Sequence, residues 1–477
     1  MGIDRVNQII YFLILLFILL IIIYPYLKSS YNSYKEKSTD EEELNEEDED
    51  ESTTNQEQLR YDKYVEYPNE FNLKLMNDDD SSYDENNHDS DFSYKDLLHV
   101  YHTSEFLSNY RSSLKLSFKE KLKKYKSMLT LLNRDIKSAE SRHSDGNSIL
   151  SPHDTSLERL RRSKSELSSI INIVEYRLNN NTIKSIKSNF DSMFYNTKRG
   201  FVSLIGRNDV KDALALQIYT FSQNPRIFFN NFQNIIITGK SGVGKTKLAD
   251  AIGYIYSKSG IFARNKFRCV TKQDFTSPYV NEASQLAREL LFSCLEGVIF
   301  IDEAYELIPQ GNMFGAMHDH GNEALTEMVN FWDKNIGLSC TIMGGYKKEM
   351  QRILDANEGV DRRFPYKMHL ASYSSSQLTD ILLKFLHGSV PDIKVGQKDA
   401  NSIYTILNYL YTENKVLFAK QAGDMLNLSS CIAKAMYGNT KRKWISESVN
   451  GRTKNNSKIL LSGFNSYLRG KGSKLVL

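Results

Sequence analysis

Apolar positions follow three rhythms along this chain, and each predicts a different kind of element. From Ile9 to Tyr24 no charged or strongly polar residue interrupts the run, which continues past Pro25 to Leu27. A stretch of that length, close to the ~20 residues a spanning helix needs, predicts a membrane-crossing segment. Further on, Phe118, Leu122, Tyr125, Leu129, Leu132 and Ile136 recur at steps of four and three. Leu157, Leu160, Leu167, Ile171, Val174 and Leu178 keep the same register, with Lys164 at the one missing seam position. Each stretch therefore carries one apolar stripe on a helix. The intervening Ser144–Asp154 contains Gly146 and Pro152, so an antiparallel hairpin is expected, with Thr155 and Glu158 as a capping box on its second helix. Few heptads are present. The hairpin either packs on a neighbouring domain or stands as a free coiled coil, acting as a recognition element or as a stalk. The third rhythm is the short unbroken apolar run, at Asn234–Thr238, Gly297–Ile301 and Ser339–Met343, which reads as buried strands of a parallel sheet.

Charge divides the chain further. Asp40–Glu51 holds ten acidic residues and no basic one; since the whole chain carries +3, the remainder carries +13. The stretch to about Ser93, rich in Asp, Glu, Asn and Ser, reads as a disordered tether. The basic excess elsewhere is scattered, with modest clusters at Lys119–Lys126, Arg159–Lys164 and Lys441–Lys443, so nucleic acid is not the expected partner. Lys28, Lys35 and Lys37 follow the apolar run and only Arg5 precedes it. That bias orients a single-pass anchor with the bulk of the chain in the cytosol. No small-x-small site follows the run, which argues against a cleaved signal peptide, and position 6 is Val, which argues against myristoylation. Cys269, Cys294, Cys340 and Cys431 are widely spaced and read as reduced core residues.

The chemistry begins at Gly239-Lys240-Ser241-Gly242-Val243-Gly244-Lys245-Thr246, which fits G-x-x-x-x-G-K-[ST] at every fixed position, between a strand and a helix start. Glycines let the backbone wrap phosphates, and the amides at the helix start face negative charge. Lys245 is expected on the β- and γ-phosphates and Thr246 on Mg²⁺. About sixty residues on, the strand Gly297–Ile301 ends in Asp302 and Glu303. Asp302 is expected to hold Mg²⁺ and Glu303 to deprotonate the attacking water. No Asn-Lys-x-Asp follows the loop, which favours ATP over GTP. His318-Asp319-His320 lacks further ligands at zinc spacing and is not expected to hold a metal.

Five separated segments resemble one family. They are Leu204–Lys211, Val270–Phe275, Val298–Tyr305, Gly344–Met350 and Asn357–Phe364. In this order they are similar to AAA+ ATPases of the branch holding red-type Rubisco activase and stage V sporulation protein K, over about residues 200–470. The resemblance implies a ring, usually a hexamer, with ATP between neighbours and a remodelled protein client gripped at a central pore. Gly206 and its neighbours match the segment near the adenine, and Tyr279, within Pro278–Val280, matches the aromatic pore loop. Arg363, with Arg362 as understudy, matches the arginine finger that reaches a neighbour's γ-phosphate, a task suited to a permanently charged, bidentate group.

Two departures stand out. After Ser339–Met343 the chain reads Gly344-Gly345-Tyr346, with no amide where many of the wider superfamily carry Asn. Gly423 stands where relatives often carry the second sensor arginine, and Lys420 is the nearest cation that could replace it. The expected fold class is α/β: an AAA+ P-loop NTPase with a parallel sheet and a small helical lid, preceded by the hairpin and the transmembrane helix. Its divisions are a 1–30 anchor, a 31–93 tether, a 94–198 hairpin or coiled coil, a 199–370 ATPase subdomain, and a 371–477 lid with basic tail. The expected function is a membrane-anchored remodelling ATPase acting on a protein client or adaptor. A nucleotide-gated scaffold with little turnover and a nucleic-acid-handling ATPase are the alternatives.

Overall fold

The computed structural model describes residues 92–144, 155–275, 282–308, 320–390, 395–438, 454–475 and 477. Every described residue belongs to one compact unit, within Val65–Leu477. The predicted anchor, nearly all of the tether, residues 145–154, the Thr155 side chain, Tyr279, His318, Asp319 and Lys441–Lys443 lie outside the described residues. No helix among the described residues is long and apolar enough to cross a membrane.

The described chain opens with α1 (Tyr94–Val100), started by a capping box in which Ser93 Oγ accepts from the Asp96 amide and the Asp96 carboxylate accepts from the Ser93 amide. The hairpin follows as α2 (Ser104–Ser144) and α3 (Thr155–Asn179). Its first arm runs 41 residues because no Gly or Pro interrupts it. The hairpin is not a free coiled coil. Tyr110, Leu114, Phe118, Leu122 and Tyr125 share one continuous core with the sheet. Each such side chain contributes ~1.5–3 kcal/mol by leaving water, which fixes α2 against the domain. The predicted seam is thus split: Phe118, Leu122 and Tyr125 are buried, whereas Leu129 and Leu132 are only partly buried.

A polar anchor accompanies this packing. Lys121, fully buried in the α2 face, donates to Glu296 Oε2 at 2.8 Å and to the Ile261 carbonyl at 2.6 Å. Tyr125 donates to the other Glu296 oxygen at 2.7 Å, and the Ala263 amide donates to Oε2 at 2.7 Å. Burial alone would lower the Lys121 pKa, and the Glu296 charge opposes that shift. On the other arm, Glu166 of α3 pairs with Arg264 and Lys266.

After α4 (Ile183–Tyr195), α5 (Asn208–Gln223) and α6 (Arg226–Asn230), strands and helices alternate. They are β1 (Ile235–Gly239), α7 (Lys245–Ser259), β2 (Phe267–Val270), α8 (Glu282–Ser293), β3 (Val298–Ile301), α9 (His320–Lys334), β4 (Cys340–Gly345), α10 (Lys347–Ala356), α11 (Glu358–Arg363) and β5 (Tyr366–Leu370). The sheet is parallel throughout, in the order β2-β3-β4-β1-β5. Its central strands β3 and β4 are buried at every position, as unbroken apolar runs covered on both faces should be. Edge strand β2 behaves differently. Arg268 and Cys269 are exposed there, so Cys269 is not the core residue expected; Cys294 and Cys340 are buried, and all four cysteines are free.

The lid comprises α12 (Ser375–Ser389), α13 (Gln397–Glu413), α14 (Ala422–Tyr437) and α15 (Lys454–Gly470). It has its own core around Leu378, Leu382, Leu407, Phe418, Leu428 and Phe464. The two cores part between Leu370 and Tyr373.

Candidate active site

Strand β1 delivers the Gly239–Gly244 loop to the start of α7 at Lys245. Gly242 and Gly244 adopt φ of 77° and 92°, a region costly to any residue with a Cβ. Space is equally decisive: a Cβ on Gly242 would stand 2.0 Å from the Lys420 carbonyl oxygen. Lys245 folds over its own loop, donating to the Gly239 and Lys240 carbonyls at 2.9 and 3.1 Å. Burial lowers its pKa, against the pull of Asp302 and Glu303.

The carboxyl end of β3 brings the second motif alongside. Thr246 Oγ1 and Asp302 Oδ2 are 3.5 Å apart. A hydroxyl and a carboxylate converging at that spacing are the hard oxygen donors that suit Mg²⁺, so the residues fit the expected cation. Glu303 follows at φ 51° and ψ 44°, a left-handed backbone unusual for a residue with a side chain. Such strain gathers at functional positions, where the surrounding fold holds it. Burial, then the nearby Glu303 carboxylate, pushes the Tyr305 phenol pKa up to about 12. Tyr346, immediately after β4, is tilted against Tyr305 with ring centroids 6.2 Å apart, and its ring centroid lies 5.1 Å from the Lys245 ammonium.

The lid meets the loop through main chain. The Ala422 amide donates to the Gly242 carbonyl at 3.2 Å. Gln421, buried and at φ 48°, accepts the Tyr373 amide on its side chain at 2.8 Å. Next to this contact the Val243 carbonyl accepts both Arg207 Nη2 at 3.0 Å and the Tyr373 hydroxyl at 2.9 Å, while Arg207 Nη1 donates to Ala371 at 3.0 Å. The Arg207 guanidinium lies over the Tyr373 ring at 4.2 Å. Sequence reading missed this clamp, because its members come from three distant segments and no spacing links them. Gly206 sits against the lid, where a Cβ would meet the Gln377 side chain. A Cβ on Gly423 would meet only Lys420 Cβ, at an ordinary 3.7 Å, so the backbone there does not itself demand glycine.

Arg363 and Arg362 differ sharply. Arg363 is 18% exposed and forked onto Asp333 of α9 at 2.9 and 2.5 Å, with a further bond to the Gly359 carbonyl. Arg362 is 75% exposed and faces only Glu358 at 3.4 Å. Among the described residues no group of three or more His, Cys, Asp or Glu side chains could hold a metal ion.

Residues 235–370 match the model of the ATPase family associated with various cellular activities (AAA). ESX-3 secretion system protein EccA3 of Mycobacterium tuberculosis is 30% identical over 151 residues, 32% of this chain and 23% of that protein. Stage V sporulation protein K of Bacillus subtilis is 27% identical over 179 residues, 38% of this chain and 52% of that protein. The chain thus spans about a quarter of the first relative and about half of the second. A chain from the solved E. coli MS115-1 HORMA:CdnC:Trip13 complex overlays with a TM-score of 0.38 at 16% identity, covering 54% of this chain and 89% of that one, too loosely to carry an argument.

Proposed function

Because residues 235–370 form an AAA-family ATPase domain, we propose that this chain hydrolyses ATP at the Gly239–Thr246 loop and couples it to remodelling a protein partner. The observation that carries the reading is the convergence of Lys245, Thr246, Asp302 and Glu303 at the carboxyl ends of β1 and β3, where open parallel sheets bind ligands. Lys245 would exchange its two loop carbonyls for phosphate oxygens. Thr246 and Asp302 would hold Mg²⁺, which supplies charge neutralisation for phosphoryl transfer when bound. Glu303 would orient the attacking water and take its proton.

The working form in this reading is a homo-oligomer, six-membered by the resemblance, with Arg363 acting on the neighbouring site once it leaves Asp333. Tyr279 would grip the client. A test follows from the geometry of sharing. An Arg363→Ala subunit and a Lys245→Ala subunit should each be poor ATPases alone, the first still binding ATP. Mixed together, some junctions pair an intact finger with an intact loop, and partial recovery of turnover is expected. Mixed oligomers with no recovery at any ratio would remove Arg363 from the trans role. The scaffold alternative has its own support, since the lid touches the loop through main chain and carries Gly423 where an arginine was expected. Oligomers that bind ATP yet scarcely turn it over would favour it.

The reading extends to location: Ile9–Leu27 anchors the chain in a membrane with the ATPase in the cytosol. Full-length protein should therefore stay in the pellet after alkaline carbonate extraction, and deletion of residues 1–27 should release it with ATP binding intact. Full-length protein in the supernatant would rule the anchor out.

A further inference from the structure

Resting on the nucleotide reading above, we propose that Asp424 is a positioning residue for the phosphate loop. Through its grip on the Lys420 amide it seats a turn of the lid on Gly242, and so sets the affinity for nucleotide. Asp424 lies in the first turn of α14 and is fully buried. Its Oδ2 accepts the Lys420 amide at 2.7 Å, and its Oδ1 is paired with the Lys471 ammonium at 2.6 Å. Lys471 follows directly on α15, is 26% exposed, and holds its ammonium 5.7 Å from the centroid of the Tyr467 ring. A carboxylate shut away from water is costly unless its charge is met, and these two donors meet it.

The grip matters because Lys420 is where the lid presses on the loop. Its carbonyl accepts the Gly423 amide at 2.9 Å and stands against Gly242, with no space left for a Cβ there. Two residues on, the Ala422 amide donates to the Gly242 carbonyl. Between them Gln421 holds φ 48°, a backbone that persists only where its surroundings fix it. Asp424 fixes the turn from one side. The Gln421 side chain fixes it from the other, donating to the Phe418 carbonyl at 3.2 Å and accepting the Tyr373 amide. A loop already held in its binding shape gives tighter binding, because the ligand need not order it. Di- and triphosphates would both use the Gly239–Thr246 loop, so both should feel this seat alike.

The test measures equilibrium binding of ADP and of a non-hydrolysable ATP analogue, both with Mg²⁺, in the full-length chain. Asp424→Ala removes the acceptor and lets the partly exposed Lys471 return to water, so no buried charge is left unpaired. It should bind both nucleotides about tenfold more weakly, within the range of coupling between a remote group and a binding site. Asp424→Asn keeps an oxygen for the Lys420 amide and should bind both as wild type does. Wild-type affinity in Asp424→Ala, or an equal loss in the two variants, overturns the assignment. Should Asp424→Ala fail to fold, Lys471→Met decides the matter. It should weaken both nucleotides and be rescued by adding Asp424→Asn; no loss, or no rescue, overturns the assignment. Lys245→Ala serves as the reference. If it weakens binding and Asp424→Ala does not, the nucleotide reading stands and this assignment fails. If wild type binds neither nucleotide, the nucleotide reading itself fails and this assignment falls with it.

Discussion

Glu303→Gln is expected to bind ATP as tightly as the wild type while its hydrolysis rate falls by ~10²–10⁴-fold, the usual contribution of a positioned general base. The substitution keeps volume and shape, so the left-handed backbone at position 303 is retained. What it removes is the capacity to take a proton. Lys245, Thr246 and Asp302 stay in place, so affinity should survive. Single-turnover hydrolysis beside equilibrium binding separates the two effects. Wild-type turnover in the variant would mean that another group activates water. Loss of binding together with loss of turnover would mean that Glu303 shapes the site instead of acting in it.

Lys121→Met should destabilise the fold by about 3–5 kcal/mol, the range for stripping one partner from a buried ion pair. The lysine stem is replaced at similar volume, but Glu296 is left fully buried with only Tyr125 and the Ala263 amide to meet its charge. Because Glu296 sits just before β3 and Lys121 lies in α2, the loss should loosen the hairpin from the sheet. Pairing Lys121→Met with Glu296→Gln removes both charges and should recover much of the loss, since a neutral amide costs less to bury. Urea unfolding of the single and double variants provides the measurement. A midpoint unchanged in Lys121→Met would show that the pair contributes nothing net and that aromatic packing alone docks the hairpin.

Much of the site was legible because its chemistry is local. A phosphate loop needs its glycines, lysine and hydroxyl within eight consecutive residues, and the loop Gly239–Thr246 declares itself without any contact map. Asp302 and Glu303 were legible for a related reason: an apolar strand ending in two acids has few other uses in a parallel sheet. The clamp formed by Arg207 and Tyr373 was not: Arg207 stands in the matching segment Leu204–Lys211, but nothing in the sequence ties it to Tyr373. They meet at the Val243 carbonyl they share, from positions 36 and 130 residues away. Cys269 was misplaced for a simpler reason. Its neighbours read as a strand, but only the strand order makes β2 an edge with exposed positions.

The hairpin shows where the division falls. Periodicity alone determined that residues 118–136 and 157–178 are helices and which face of each is apolar, because a 3.6-residue repeat is a property of the chain. It could not decide what that face meets. A stripe of Phe, Leu and Tyr fits a partner helix or a sheet domain equally well, since apolar burial has no direction. Tertiary structure decided it by placing Glu296 opposite Lys121, a polar position within the predicted face that carries a buried charge only if its partner is fixed in space. The same holds for Arg363. Its guanidinium is written in the sequence, but its pairing with Asp333, thirty residues away, arises only when α9 and α11 pack together.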